Sequence, residues 1–541
     1  MPTITLSKKA LLKQLGARLS DEQLKEHISM LGTDLEGIAE DEITVEVFPN
    51  RPDLLSMQGF ARALRAFIGK ERGLRRYTVK KSGEQVIIDK TVLTCRPYTS
   101  CAIVRNLHID EERLKEIIQI QEKLHVTFGR NRKRAAIGIY PLEHIAFPIY
   151  FRGLRPRDIS FQPLEMQREM NGEEILELHP KGREYAHLVQ GLKRYACFLD
   201  GKQRIMSLTP IINSHLTGKV AEQTTAVFVE CSGFDQRILD ECLAIIVTAL
   251  ADMGGTIESL ELKHPEGTRT TPQLEPRKMK LDLAYCNKLL GFSLTEREAA
   301  ALLGRMGFGY ERGSVLIPAY RTDIMHQADL AEDIAIAYGY AAIPESLPTV
   351  ATVGQADPLG EFSRIIREVL IGHGLLEVHN FNLIGHAEQT TMMMAEREPV
   401  RIANSLSEGY DSLRAWLLPS LLNTLAQNRK HDYPQHIFEL GKVFVKDEST
   451  TTGVREELHL AVALCGEGED YTAIRQILDS LLSALDVKTP YRRTKHKSFI
   501  PGRVATAGAA TIGEVAPAVL RNFGLEMPVA AFELPVASLR K

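Results

Sequence analysis

No two cysteines of this sequence stand in a CxxC pair: the seven, Cys95, Cys101, Cys197, Cys231, Cys242, Cys286 and Cys465, are scattered and odd in number. That argues against a disulfide framework and a cysteine-type zinc site, and reads as reduced thiols held mostly in cores. Long apolar runs are missing as well. The longest, "CLAIIVTALA" from Cys242, falls far short of a bilayer span, and the opening residues lack a signal-peptide profile, so the expected location is cytoplasmic. Net charge is nearly absent too. With 66 basic and 69 acidic side chains the balance is −3, which gives no global support for a nucleic-acid partner. Basic residues do cluster locally, at Lys70, Arg72, Arg75, Arg76, Lys80 and Lys81, at Arg130, Arg132, Lys133 and Arg134, and at Arg492, Arg493, Lys495 and Lys497. Each run reads either as a solvated face or as a track for phosphates.

What is present is length enough for three or four domains and one conspicuous acidic stretch. "PAYRTDIMHQADLAEDIAIAYGY", Pro318 to Tyr340, carries Asp323, Asp329, Glu332 and Asp333 within eleven residues. The last three stand at i, i+3 and i+4 of a helical pattern and share a face, where like charges repel unless something cationic sits among them.

An internal repeat bears on that charge. "LSKKALLKQLGARLSDEQLKEHISMLG" from Leu6 aligns without gaps on "LDLAYCNKLLGFSLTEREAAALLGRMG" from Leu281, and "ITVEVFPNRPDLLSMQGFARALRAFIG" aligns on "GSVLIPAYRTDIMHQADLAEDIAIAYG". Gly16 meets Gly291, Gly32 meets Gly307, Arg51 meets Arg321, Asp53 meets Asp323 and Gly69 meets Gly339. Two copies of one module are therefore expected, each a Ser/Thr-capped helix, a strand, a turn and a second helix. Asp53 and Asp323, shared by both, are expected to cap the helix behind them. Asp329, Glu332 and Asp333 fall opposite Gly59, Arg62 and Ala63, so the module does not need them. Clustered hard oxygen donors suit Mg²⁺; a solvated acidic helix start is the alternative.

Between the copies, the pattern is mixed α/β: "CAIVRNLHI" reads as a strand, "DEERLKEIIQIQEKLHVTFG" as a helix, and "RYACFLDGKQRIMSLTPIINS" as a hairpin about Asp200 and Gly201. Ser207, Glu230 and Ser232 sit at or near strand ends here. His179, His187 and His215 stand at no spacing that makes a triad with them, so a hydrolytic site would position water rather than use a nucleophilic serine. A Pro-rich linker, "PESLPTVATVGQADP", precedes a helix leading into strands, an α+β pattern.

These segments resemble the β subunit of phenylalanyl-tRNA synthetase in its short archaeal and eukaryotic form. The match is carried in order by "FPNRPDLLS", "QEKLHVTFGRNRKRAAIGIY", "HPKGREYAHL", "SLTPIINS", the acidic stretch, "LRAWLLPSLLNTLAQN", "IFELGKVF" and "SFIPGRVA". The resemblance implies a multidomain α+β chain: an N-terminal module (residues 1–75), a central editing-type, tRNA-binding domain (76–268), the second module with an acidic Mg²⁺-binding segment (269–347), and a class II synthetase-like antiparallel-sheet domain without catalytic residues (348–541). It implies an α2β2 heterotetramer acting on tRNA(Phe), in which the α subunit binds ATP and attaches phenylalanine while the β subunit hydrolyses mischarged Tyr-tRNA(Phe). Asp323, Asp329, Glu332 and Asp333 match the family's magnesium-holding acids, with Asp333 where longer bacterial chains have Glu. Ser207, Glu230 and Ser232 match its editing pocket, with Thr209 in place of a Pro and with Glu230 and Ser232 in a run usually reading D-x-T; Phe198 or Leu199 is expected to supply the apolar wall. In the last domain, Ile437 stands two places before Glu439 where a catalytic strand has an Arg, and Glu533 has no Arg until Arg540. Two other readings use the same residues: a free-standing deacylase of mischarged tRNA, and a non-catalytic nucleic-acid-binding scaffold, against which the acidic module helices count.

Overall fold

The computed structural model describes residues 2–347 and 352–540, which form two compact units divided after Leu347. Part of the expected Pro-rich linker lies outside the described residues. Among those residues no helix is long and apolar enough to cross a membrane.

In the first unit both repeat copies have the same architecture. Each is a three-stranded antiparallel sheet in the order first, third, second: Thr3–Ser7, Glu42–Glu46 and Asp34–Ile38 in one copy, Arg277–Lys280, Ser314–Ile317 and Gly309–Glu311 in the other. Where the sequence pattern suggested one helix before the strands there are two, Lys8–Leu15 and Asp21–Met30, matched by Leu283–Leu290 and Glu296–Arg305. The break is local. Gly16 (φ 60°) and Gly291 (φ 70°) close the first helix in the left-handed conformation, which a residue without Cβ adopts at no steric cost. Ser20 with Gln23, and Thr295 with Glu298, then start the next helix as reciprocal capping boxes.

Asp53 and Asp323 do not cap the helices behind them. Ser56 caps Met57–Phe67 and His326 caps Gln327–Tyr338. Each Asp instead receives a two-pronged guanidinium bond: Arg51 Nε and Nη2 reach Asp53 at 2.9 and 2.9 Å, and Arg321 Nε and Nη2 reach Asp323 at 2.9 and 2.7 Å. An Arg two residues before an Asp can fork onto it across a turn, and this planar pairing outcompetes a single capping bond.

Between the copies lies a ten-stranded mixed sheet that runs Val79–Ile88, Thr256–His264, Tyr98–Arg105, Val227–Gly233 and, at its edge, Ala135–Pro141. The apolar helix Gln236–Asp252 covers one face, and its buried side chains share one core with Ile117, Ile120 and Leu124 of Glu111–Val126 and with both repeat copies. The hairpin Tyr195–Leu199 to Ile205–Thr209 extends the sheet at one end.

The second unit is a seven-stranded sheet, Leu376–Glu377, Gln435–Lys446, Val454–Cys465, Val529–Pro535, Ala510–Val515, Phe499–Ala507, Tyr491–Arg493, antiparallel except for its first pair. Pro358–Gly372 and Tyr471–Ala484 bury one face, Leu418–Gln427 and Pro517–Asn522 the other. Glu439 has a partner that sequence proximity did not show: Arg414 Nη1 meets Glu439 Oε1 at 2.6 Å, both side chains fully buried. Glu533 accepts the backbone N–H groups of Leu417 and Leu418 and faces His459 Nδ1 at 2.8 Å. Both glutamates therefore brace the fold.

Candidate functional site

A cavity of about 550 Å³ opens in the first unit between the helix Glu111–Val126 and the hairpin end of the sheet. Leu114, Ile117, Ile137, Ile139, Ile211 and Ile212 form most of its apolar wall, and Thr209, Asn213 and Glu230 face it with polar groups. Its size is that of a pocket for a drug-sized ligand. Phe198 and Leu199 do not line it. Phe198 stacks on Phe151 at 4.3 Å and Leu199 packs in the cluster around Tyr195 and Leu208, because the strand that carries them turns both into cores of the sheet.

Ser207 and Glu230, 23 residues apart in sequence, meet at a third residue. The Tyr140 hydroxyl lies 2.9 Å from Ser207 Oγ and 3.3 Å from both Glu230 Oε1 and Asn213 Oδ1, while Ser207 Oγ is 3.2 Å from Thr209 Oγ1. Strand register makes the meeting possible. Glu230 pairs with Gly138 across the sheet, so Tyr140, two residues on, projects from the same face. Gly138 has to lack a side chain: a Cβ there would sit 2.6 Å from Glu230 Oε1 and closer still to the Tyr140 hydroxyl.

Glu230 is 2% exposed. Burial pushes its carboxyl up to about 8, against the opposing pull of the Arg96 charge and of its hydrogen bonds. The group is therefore largely neutral at pH 7, and its Oε2 has no hydrogen-bond partner. A raised folded-state value means that stability is fully present below the ordinary 4.5 and is lost as pH climbs toward 8. Glu230→Gln should remove that loss. The unfolding free-energy gain of the variant over wild type should widen from pH 5 to pH 8, with a limiting slope of about 1.4 kcal/mol per pH unit; a gap independent of pH would show that Glu230 is ionised in the fold.

Ser232 stands between Glu230 and Arg96: it helps lower the Glu230 carboxyl, its Oγ accepts from Arg96 Nε at 3.1 Å and its carbonyl from Arg96 Nη2 at 2.5 Å. Two further cavity residues escaped sequence reasoning. His125 Nε2 accepts the Ile137 N–H at 2.8 Å, which puts the ring proton on Nδ1, 3.2 Å from Glu122 Oε1; with burial, this keeps the imidazole neutral. Arg132 donates to the Ile211 carbonyl at 2.8 Å and to Glu122 at 3.1 Å, stacked over Tyr185. It gets there through three successive left-handed residues, Arg130, Asn131 and Arg132 (φ 49°, 52° and 64°), which turn Arg132 inward and leave Arg130 and Lys133 exposed.

The four acids of the repeat line a separate cleft of about 1070 Å³, facing Arg130, Arg134 and Arg237. Their charges are largely answered from within the chain. Arg321 holds Asp323 and also Asp333, at 2.6 Å, and Asp329 Oδ2 accepts the Met325 and His326 N–H groups at 2.6 and 2.7 Å. Glu332 is exposed. As placed, the four do not present a shared cation cage, and among the described residues no three His, Cys, Asp or Glu side chains group closely enough to hold a metal ion.

Comparison with known proteins covers nearly the whole chain. A β subunit of phenylalanine–tRNA ligase from Pyrococcus furiosus is 40% identical over 550 residues, spanning 99% of both chains, and one from Thermococcus sibiricus is 41% identical over 495 residues, spanning 90% of this chain and 88% of that one. The chain belongs to the phenylalanine–tRNA ligase β-subunit family. It is thus part of an aminoacyl-tRNA ligase complex. Residues 1–70 match the Phe-tRNA synthetase beta subunit B1 domain, 279–340 the tRNA synthetase B5 domain and 343–536 the phenylalanyl tRNA synthetase beta chain CLM domain. A crystal structure of an N-terminal fragment of the β subunit from Pyrococcus horikoshii is similar, with a TM-score of 0.60, 37% identity, and coverage of 62% of this chain and 99% of that chain. In this β-subunit chain, then, the two repeat copies coincide with the B1 and B5 segments, and the cavity lies in the sequence between them.

Proposed function

We propose that this β subunit hydrolyses tyrosine wrongly esterified to tRNA(Phe), in the cavity walled by Glu230, while its α partner makes the aminoacyl ester with ATP. What carries the reading is a buried, largely neutral carboxyl on the wall of a cavity whose lining is partly apolar, with Oε2 unpaired. A hydroxyl-bearing side chain satisfies that atom. One without a hydroxyl leaves it unpaired, which a buried polar group penalises. Ser207 has Tyr140 and Thr209 as neighbours and no histidine, and His125 is tied to Ile137. This favours a water held by hydrogen bonds over attack by the serine itself. Ser232 acts one step back, by fixing Arg96 beside Glu230.

The remaining assignments belong to the same reading: the four-part division at 75, 268 and 347, an α2β2 assembly in the cytoplasm, tRNA contacts through exposed Arg130 and Lys133, and a last domain of class II type that does no synthesis. For the acidic face, we infer that Asp323 and Asp333 serve as counter-ions of Arg321. Magnesium there would rest on Asp329 and Glu332 with water or a partner's oxygens.

The test is Tyr-tRNA(Phe) deacylation by the chain co-expressed with its α subunit. Ser207→Ala and Glu230→Ala should each lower the rate about tenfold or more while leaving phenylalanylation intact. Normal charging with no deacylation by the wild-type complex would remove editing from this chain.

A further inference from the structure

Behind the cavity wall, in contact with Glu230, lies a buried phenol. Tyr140 is fully buried, its ring tilted against Phe228 at 5.8 Å, and its hydroxyl meets Ser207 and Asn213, on two paired strands, and Glu230, on a third. The hydroxyl has one proton and three neighbours. It therefore fixes Glu230 through Oε1 only, and Oε2 is left over. The sheet is cut to admit this arrangement, since the space beside Glu230 Oε1 and the Tyr140 hydroxyl exists only because residue 138 is glycine.

Resting on the editing reading, we propose that Tyr140 is a specificity-determining positioning residue: it pins Glu230 and Ser207 so that the Glu230 carboxyl, on the cavity wall, is held in place to meet the phenolic hydroxyl of an incoming tyrosyl ester. Without this hydrogen bond the carboxyl has no fixed rotamer in an apolar wall, and a polar group displaced by roughly an ångström no longer discriminates a substrate hydroxyl from its absence. Tyr140 itself touches no reacting atom. Its effect is on selection between phenolic and non-phenolic esters rather than on the hydrolytic step common to both.

Tyr140→Phe keeps the ring and its packing and removes only the hydroxyl. The experiment compares deacylation of Tyr-tRNA(Phe) and Phe-tRNA(Phe) by the complex with its α subunit, from pH 6 to 9, for wild type and variant. Expected is a fall of about tenfold or more in the Tyr-to-Phe rate ratio, with phenylalanylation unchanged and the melting temperature lowered, because Ser207, Asn213 and Glu230 lose a buried partner. The pH midpoint assigned to Glu230 should also move upward, because the Tyr140 bond favours the carboxylate. The other groups around that carboxyl, Arg96 and the buried thiols of Cys101 and Cys231, stay in place. A loss of general stability would move neither the ratio nor the midpoint. Wild-type editing with an unchanged or increased ratio in Tyr140→Phe overturns the role of Tyr140 alone. A wild-type complex that hydrolyses neither ester overturns the editing reading, and this inference with it.

Discussion

Arg414→Leu should destabilise the second unit by about 3 to 5 kcal/mol, the cost of breaking a buried ion pair from one side. The Arg414 guanidinium is enclosed: Nη1 reaches Glu439 at 2.6 Å, Nε donates to the Lys442 carbonyl at 2.8 Å, and neither Arg414 nor Glu439 has any exposed surface. Glu439 in turn accepts from Asn380, from its N–H at 3.2 Å and its Nδ2 at 2.8 Å. Removing the cation leaves a carboxylate facing amides in an apolar interior. Gly441 marks how tightly the guanidinium is held, since a Cβ there would overlap Arg414 Nη2. Leucine fills part of the volume but answers none of the charge. Denaturant unfolding of the full chain should show the second unit melting at much lower concentration, and the paired variant Arg414→Leu with Glu439→Leu should recover part of the loss, because a pair replaced as a pair leaves no lone charge. A single variant within 1 kcal/mol of wild type would mean that the pair is solvated in the folded chain.

That pair also shows why some of the architecture was legible in the sequence and some was not. The repeat could be read because its signals are local: glycines at 16 and 291 and capping boxes at 20 and 295 act within a few residues of themselves. The Arg and Asp at 51 and 53, and at 321 and 323, were equally visible, but their chemistry was misread as helix capping, since a fork and a cap look alike in a two-residue spacing. Arg414 and Glu439 lie 25 residues apart with no pattern linking them. Only the sheet brings them together.

The same holds for the cavity. Ser207 and Glu230 could be picked out by resemblance, yet Tyr140, which joins them, sits in "AIGIYP", an unremarkable strand. What gives it meaning is the pairing of Ala135–Pro141 with Val227–Gly233, which sets Gly138 opposite Glu230. A tyrosine in a strand is ordinarily core, and this one is. Its hydroxyl partners, not its burial, set it apart. The apolar wall was misplaced for a related reason: Phe198 and Leu199, across the hairpin from Ser207, face cores, and the isoleucines that do line the cavity come from the helix Glu111–Val126, the strand Ala135–Pro141 and the turn just after Ser207's own strand.

Arg321→Met should have a comparable effect on the first unit, about 3 to 5 kcal/mol at neutral pH, because it leaves two buried acids without their cation rather than one. Arg321 bonds both oxygens of Asp323 and one of Asp333, with its guanidinium 4.7 Å from the centre of the Phe308 ring. The two acids respond oppositely in the wild type: burial raises Asp333 above its ordinary value, while the Arg321 charge holds Asp323 below it. Loss of Arg321 takes away the lowering influence from both. Both would then rise, so the variant binds protons in the fold that the unfolded chain has already released, and its deficit should shrink as pH falls toward 4. Arg51 stands close enough to soften the loss but already forks onto Asp53. The variant also separates the two explanations of the acidic stretch. If Asp323 and Asp333 exist to balance Arg321, their removal together with it, in a variant carrying Arg321→Met, Asp323→Asn and Asp333→Asn, should restore much of the stability, and any rise in melting temperature with millimolar Mg²⁺ should persist in that variant, because it would rest on Asp329 and Glu332. If they are metal ligands first, Mg²⁺ should stabilise the wild type in proportion to its occupancy, and the triple variant should lose that response.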